Sequence, residues 1–382
     1  PTSPKPMTNS DLTEDDPRDI LITGFPTFLA RKLLETIVER EPRATIRLLV
    51  LPDLMEKAEA QLEQMSLNPQ RLDLLEGDVV GIDLGLSGTE YLDLIANVTD
   101  IYHIASIWYL GAAQEQLFDV NVRGARNILD TAREAKNLCR LNHLSTAFVS
   151  GDRTGVIMED ELNEGQNFRN AYEETKFEAE LAMRDAMAEL PISVYRPTIV
   201  VGDSKTGEID RMAGPYYLIN AIVQMPPGVP ILMPGKGDFP LNMVPADFVC
   251  EAMHTISLQT GTAGKTFHLC DPNPLSARKV FELVADQAGK SAPVGRMPYK
   301  LTKWVMKFPY LEKLTRSPRQ FLDDFNQLTL YNGMNTAAAL RSNQHCPPLP
   351  SYVDKLVDFI RGSESTFEFE MPPMPGLFGS RI

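Results

Sequence analysis

The chain has 382 residues, 43% of them hydrophobic and 23% charged, and carries a formal net charge of -14. That length holds one large domain or a large and a small one, and the composition is that of an ordinary globular protein. The negative charge argues against nucleic acid as a partner and against broad adhesion to anionic lipid, and no apolar run reaches the roughly 18 residues that a membrane span requires. Cys139, Cys250, Cys270 and Cys346 stand apart, with no C-x-x-C and no metal-ligand spacing to any of the 5 histidines. They read as reduced thiols of a cytoplasmic protein.

Residues 1–17 are rich in Pro, Ser, Thr and Asp without periodicity, and read as a disordered tail rather than a secretory leader. An apolar run over 19–24 ends at Gly24, and Phe28, Leu29, Leu33, Leu34 and Ile37 follow at helical spacing. This predicts a strand entering a helix through a tight turn. A second strand is expected over 44–51, a polar helix over 53–65, and a third strand over 71–76 closed by Gly77, Asp78 and Val79. A helix over 89–96 precedes a fourth strand over 100–105, and an amphipathic helix over 116–135 precedes a fifth over 140–148. A helix beginning near Tyr172 and ending about residue 189 leads into a sixth strand over 191–197. Short strands alternating with helices imply an α/β fold, a doubly wound parallel sheet of Rossmann type.

Past Gly202 the pattern loosens and Gly and Pro cluster. Helices are expected over 216–223, 247–256, 277–288 and 301–307, with a strand over 266–269. The predicted division is a tail at 1–17, a dinucleotide-binding domain with the catalytic residues over 18–203, a substrate-binding lobe over 204–361 whose strands can extend the sheet, and an extended tail over 362–382.

Tyr172 and Lys176 are four apart and share a helix face. An ammonium beside a phenol favours phenolate, which would make Tyr172 a proton donor of lowered pKa. The spacing alone says little, because Tyr299 and Lys303 repeat it in an amphipathic stretch with Trp304 and Phe308 that reads as packing. The order of surrounding elements carries more. A turn from Thr23 to Ala30 follows the first strand, Asp78-Val79 the third, and His103-Ile-Ala-Ser106 the fourth. Asn121-Val122, Ser145-Thr146, Tyr172-x-x-x-Lys176 and Arg196-Pro197 then succeed one another. This order resembles the extended short-chain dehydrogenase/reductase family. Residues 199–207, 244–249 and 267–274 are similar to its branch of thioester-reductase domains of carboxylic acid reductases and fatty acyl-CoA reductases, the male sterility type.

The resemblance implies hydride transfer from a nicotinamide to a bound carbonyl. In it Tyr172 protonates the developing alkoxide, Lys176 lowers the Tyr172 pKa and holds the nicotinamide ribose, and Thr146, preferred over Ser145, donates to the substrate oxygen. Asn121 steadies the lysine. The cofactor would lie along Thr23, Gly24, Phe25, Thr27, Phe28, Leu29 and Arg31, with Asp78 and Val79 bracketing adenine. Ala105, Ser106, Pro197 and Ile199 complete that seat, together with Tyr172 and Lys176. Two departures stand out. Thr27 and Ala30 replace the second and third glycines of the family loop T-G-x-x-G-x-x-G, and Thr27 is expected either to shift the pyrophosphate or to offer it a hydroxyl. The second strand ends in Leu51 where NADPH-using relatives often have Arg. NADPH is the expected cofactor, with Arg31 or Arg47 meeting its 2′-phosphate, and NADH is the alternative.

The substrate pocket is expected to draw on Phe148 to Gly151 and on Pro215, Tyr216, Tyr217, Ile219, Ile222, Leu232 and Met233, which suits a hydrophobic substrate. Any thioester would arrive on coenzyme A or a carrier protein. His103 reads as a satisfied core histidine, Glu159-Asp160-Glu161 as a solvated face, and no metal is required. A homodimer is common for this fold. Competing readings are a hydroxy-substrate dehydrogenase, epimerase or dehydratase of the same fold, and a non-catalytic dinucleotide-binding sensor or scaffold.

Overall fold

Alternation along the first strand sets the layering: in β1 (Asp19–Thr23), Ile20 and Ile22 face one helical layer and Leu21 faces the other. The computed structural model describes residues 17–362 apart from 66, 110–111, 211–213, 227, 229, 232, 235–236, 294, 298–327 and 341–343. Of the tails expected over 1–17 and 362–382, residues 1–16 and 363–382 lie outside the described residues, as do Leu232, the Tyr299 and Lys303 stretch with its helix, and the side chain of Tyr217.

The first half runs β1, α1 (Phe28–Arg40), β2 (Thr45–Val50), α2 (Met55–Met65), β3 (Leu72–Glu76), α3 (Gly88–Asn97) and β4 (Asp100–His103). It continues with α4 (Gln114–Leu117), α5 (Gly124–Glu134), β5 (Arg140–Leu144), β6 (Gly155–Ile157), α6 (Ala171–Asp185) and β7 (Ile192–Pro197). Then follow β8 (Ile199–Val201), α7 (Pro215–Gln224), β9 (Met233–Pro234), β10 (Met243–Pro245), α8 (Ala246–Ser257) and β11 (Lys265–Leu269). The last described elements are α9 (Ala277–Gln287), β12 (Arg296–Met297), β13 (Thr329–Tyr331), α10 (Met334–Ala339) and α11 (Val353–Gly362).

Seven strands form the central sheet in the order β11-β7-β5-β4-β1-β2-β3, every pairing parallel. The strand order reverses at β1, which pairs with both β2 and β4, so the crevice beyond the carboxyl ends of β1 and β4 is where an open sheet of this kind binds a ligand. Helices α1 and α8 cover one face through Leu33, Leu34, Ile37, Val249 and Met253. Helices α3, α5 and α6 cover the other through Leu94, Ile128, Leu129, Ala179 and Met183. A separate apolar cluster joins α7, α9 and α11 through Tyr216, Ile219, Phe281, Val284, Leu356 and Ile360.

The strand expected over 266–269 is β11, an edge strand of the main sheet beside β7. Three expectations change. The helix expected over 116–135 is broken by a π-helical segment, Phe118–Arg123, that holds Asn121. The fifth strand stops at Leu144 because the next residues turn into the 3-10 segment Ala147–Ser150. Glu159 is buried rather than solvated, accepting from the backbone N–H of His268 at 2.8 Å and of Asn335 at 2.6 Å. Among the described residues no helix is long and apolar enough to cross a membrane.

Candidate active site

Asn170 starts the helix that carries the central pair: its side chain accepts from the Glu173 N–H at 2.9 Å, and Glu173 in turn accepts from the Arg169 N–H at 3.0 Å. In its first turn the Tyr172 phenol lies against the hydroxyl of Thr146, which follows the end of β5. The Thr146 oxygen also accepts from the Phe148 N–H at 3.3 Å, which holds its rotamer. Lys176 is buried and donates to the Leu144 carbonyl at 2.6 Å.

The electrostatics differ from what the Tyr-Lys spacing suggests. Burial pushes the Tyr172 phenol up to about 12, with Thr146 pulling it down and Glu173 adding to the rise. The Lys176 ammonium donates to the Leu144 carbonyl. Burial lowers Lys176 itself to about 8, opposed by the Glu180 carboxylate.

Asn121 is buried and joins three elements. Its amide donates to the Ile107 carbonyl at 3.0 Å and to the Thr175 hydroxyl at 3.1 Å, while its oxygen accepts from the Ile107 N–H at 2.8 Å. It therefore reaches α6 through the neighbour of Lys176. Ser145 points elsewhere, donating to the buried Glu180 carboxylate at 2.5 Å. Glu180 pairs with Arg196 at 2.6 Å, both fully enclosed, and Arg196 also donates to the Glu161 carbonyl at 2.8 Å. This buried network was absent from the sequence reading, although Glu180 stands four residues beyond Lys176.

At the other end of the crevice Thr23 is fully buried, its hydroxyl accepting from the N–H groups of Ile104 and Ala105, each at 3.1 Å, and meeting His103 Nδ1 at 3.0 Å. Burial drops His103 to about 3, so it is a neutral core imidazole. Gly24 has φ +86, and a Cβ there would stand 2.8 Å from the Ala105 nitrogen; only glycine fits this approach. Phe25 is buried and α1 then starts at Phe28 with Leu29 partly buried behind it, its N-terminus facing the crevice. These features fit a dinucleotide, whose pyrophosphate is held by N–H groups at such a helix start.

Thr27 stands at the N-cap with φ -69 and ψ 157, a backbone any residue adopts, and it is exposed, its hydroxyl making no capping bond to α1. Glycine is not required there by the backbone. Thr27→Gly is expected to leave dinucleotide affinity equal or better by fluorescence titration; a steep loss would make the hydroxyl a needed contact. Ala30 is fully buried against the sheet. Arg31 is held by Glu35 at 3.3 Å and Glu208 at 2.6 Å. Arg47 is no candidate for a phosphate: it is buried and bound to Asp19 at 2.9 Å and Asp93 at 2.6 Å.

Asp78 accepts from the Val80 N–H at 2.9 Å, which shapes the turn in which buried Val79 lies against Gly124. Ala105 and Ser106 are partly buried past β4, Pro197 ends β7 and Ile199 begins β8. Phe148 is partly buried with the Arg169 guanidinium 5.8 Å above its ring. Tyr216, expected on the pocket wall, is fully enclosed in the lobe's apolar cluster, its hydroxyl accepting from the Gly202 N–H at 2.6 Å. Ile219, Ile222 and Met233 lie in the same cluster.

Residues 22–253 match the family described as male sterility protein. Fatty acyl-CoA reductase wat of Drosophila melanogaster is 25% identical over 292 residues, covering 64% of this chain and 56% of that protein. Glycine betaine reductase ATRR of Emericella nidulans is 27% identical over 289 residues, covering 70% of this chain and 22% of that protein. The chain thus spans about half the length of the first and about a fifth of the second. The terminal R domain from the myxalamid PKS-NRPS biosynthetic pathway superposes with a TM-score of 0.78 at 26% identity, covering 90% of this chain and 91% of that one. UDP-glucuronic acid 4-epimerase from Bacillus cereus, solved with NAD, shares the fold at 16% identity and a TM-score of 0.67, covering 91% of this chain and 100% of that one. With more than half of its length matched, the chain belongs to the male sterility protein family, within the extended short-chain dehydrogenase/reductases.

Proposed function

We propose that this chain is an NAD(P)H-dependent reductase acting on an acyl thioester or a lipid-like aldehyde or ketone, with NADPH as the preferred cofactor. The observation that carries the reading is the Thr146 hydroxyl against the Tyr172 phenol, with the buried Lys176 ammonium on the Leu144 carbonyl at the carboxyl end of β5. The cofactor, when bound, supplies hydride to the carbonyl carbon. Thr146 donates to the carbonyl oxygen as negative charge grows on it, and Tyr172 then gives that oxygen its proton. Lys176 places a positive charge close by, and Asn121 fixes the helix that presents both. Arg31, whose guanidinium lies 5.4 Å from the centre of the Phe28 ring at the start of α1, is the candidate for a 2′-phosphate.

Lys176 holds its charge below about 8 and loses it above. Reductive turnover is therefore expected to fall as pH rises through about 8, read as the alkaline limb of the rate against pH. A flat profile to pH 10 would remove the lysine charge from the mechanism.

A screen of NADPH and NADH oxidation tests the function. Aldehyde or alcohol from an acyl-CoA supports the reductase. Sugar-nucleotide or hydroxy-steroid turnover supports the rival dehydrogenase, epimerase or dehydratase, which the shared fold of the Bacillus cereus epimerase keeps in view. Dinucleotide binding with no turnover supports a sensor. The acyl group would be delivered by coenzyme A or a carrier protein, and a second copy of the chain is the expected assembly partner. All four cysteines are buried and none forms a disulfide, which suits the reducing cytoplasm.

A further inference from the structure

The turn after β8 brings two carboxylates to the phosphate end of the dinucleotide seat. It is a fixed turn. The Asp203 carboxylate accepts from the N–H groups of Lys205 at 2.8 Å and Thr206 at 3.0 Å, and Ser204 is tied to Asp247 by bonds of 2.9 and 2.6 Å. Gly207 has φ +74, and a Cβ there would collide with the Lys355 backbone of α11, so the turn is pressed against that helix.

From this platform Glu208 reaches Arg31 at 2.6 Å and Lys32 at 3.3 Å, and Asp203 takes Lys32 at 3.3 Å. Two residues further on, the Asp210 carboxylate accepts from the Phe28 N–H at 3.3 Å. Phe28 is the first residue of α1, and its N–H is one of the donors that a helix start offers to an anion. Carboxylates therefore hold the donors and the cation that phosphates would use. Two anions cannot share them without strong repulsion.

We propose that Glu208 and Asp210 determine how tightly, and with which preference, this chain holds its dinucleotide. Asp210 occupies the pyrophosphate donor until displaced, and Glu208 withholds Arg31 from a 2′-phosphate. The inference rests on the dinucleotide reading of α1 made above. A seat that must first be vacated binds with its intrinsic affinity multiplied by the fraction of time it stands open. Asp210 acts on every dinucleotide alike, because all carry a pyrophosphate. Glu208 acts chiefly on NADPH, because NADH lacks the 2′-phosphate that Arg31 would meet. The two acids thus separate affinity from preference.

Fluorescence titration of NADPH and NADH against the full chain, at one fixed ionic strength, reads both effects. Asp210→Asn should tighten both dinucleotides by roughly tenfold, and Glu208→Gln should tighten NADPH by roughly tenfold while NADH moves less than about twofold. Asp210→Ser and Glu208→Ala, each checked for an unchanged circular dichroism spectrum, should move affinity the same way if charge is responsible. Unchanged or weaker binding in the Asp210 variants overturns the competition, and equal shifts of both dinucleotides in the Glu208 variants overturn the withholding. If the folded, unaltered chain binds neither dinucleotide, the cofactor reading falls and this inference with it; normal binding with unmoved variants sinks the inference alone.

Discussion

Replacing Tyr172 with Phe is expected to lower turnover by about a hundredfold to ten-thousandfold while dinucleotide affinity stays within about twofold. The substitution removes one hydroxyl and keeps the ring. In the proposed mechanism what is lost is the proton that Tyr172 gives the reacting oxygen, while Lys176 stays on the Leu144 carbonyl. The loss should fall on kcat, because the phenol acts where charge develops rather than in ground-state binding. An active Phe variant would remove Tyr172 from the chemistry.

Glu180→Ala is expected to destabilise the fold by about 3–5 kcal/mol, read as a lowered denaturant midpoint. Arg196 would be left fully enclosed with its charge unmatched, since Glu180 accepts from it at 2.6 Å. Ser145 would lose its acceptor as well. A second readout separates this from ordinary core damage. Glu180 raises the Lys176 pKa, so the milder Glu180→Gln should move the alkaline limb of the rate profile to lower pH. An unshifted limb would show that Glu180 serves packing alone.

The parallel sheet was legible because its strands are short, mostly apolar and separated by helical spacing, so β1 to β5 and β7 can be placed within a few residues from the amino acids alone. The pairing of Thr146 with Tyr172 was legible for a related reason: a strand end and a helix start that follow each other in a doubly wound fold meet at the same edge. What depends on distant partners was not. Glu208 and Arg31 are 177 residues apart, and nothing near either predicts their contact. The place of β11 beside β7 depends on its neighbour, not on its own residues. Aromatic content misplaced Tyr216, because a tyrosine enclosed around one hydrogen bond looks in sequence like a pocket wall. Spacing misjudged the electrostatics of Tyr172 and Lys176, because a shared helix face does not say where an ammonium donates.

Hydride delivery to a thioester is tested most directly by incubating the protein with NADPH carrying deuterium at the transferable position and a long-chain acyl-CoA, then measuring the product by mass spectrometry. The predicted result is aldehyde or alcohol bearing deuterium on the former thioester carbon, absent with Tyr172→Phe. Unlabelled product, or label transferred to a sugar nucleotide but never to the acyl chain, would contradict it.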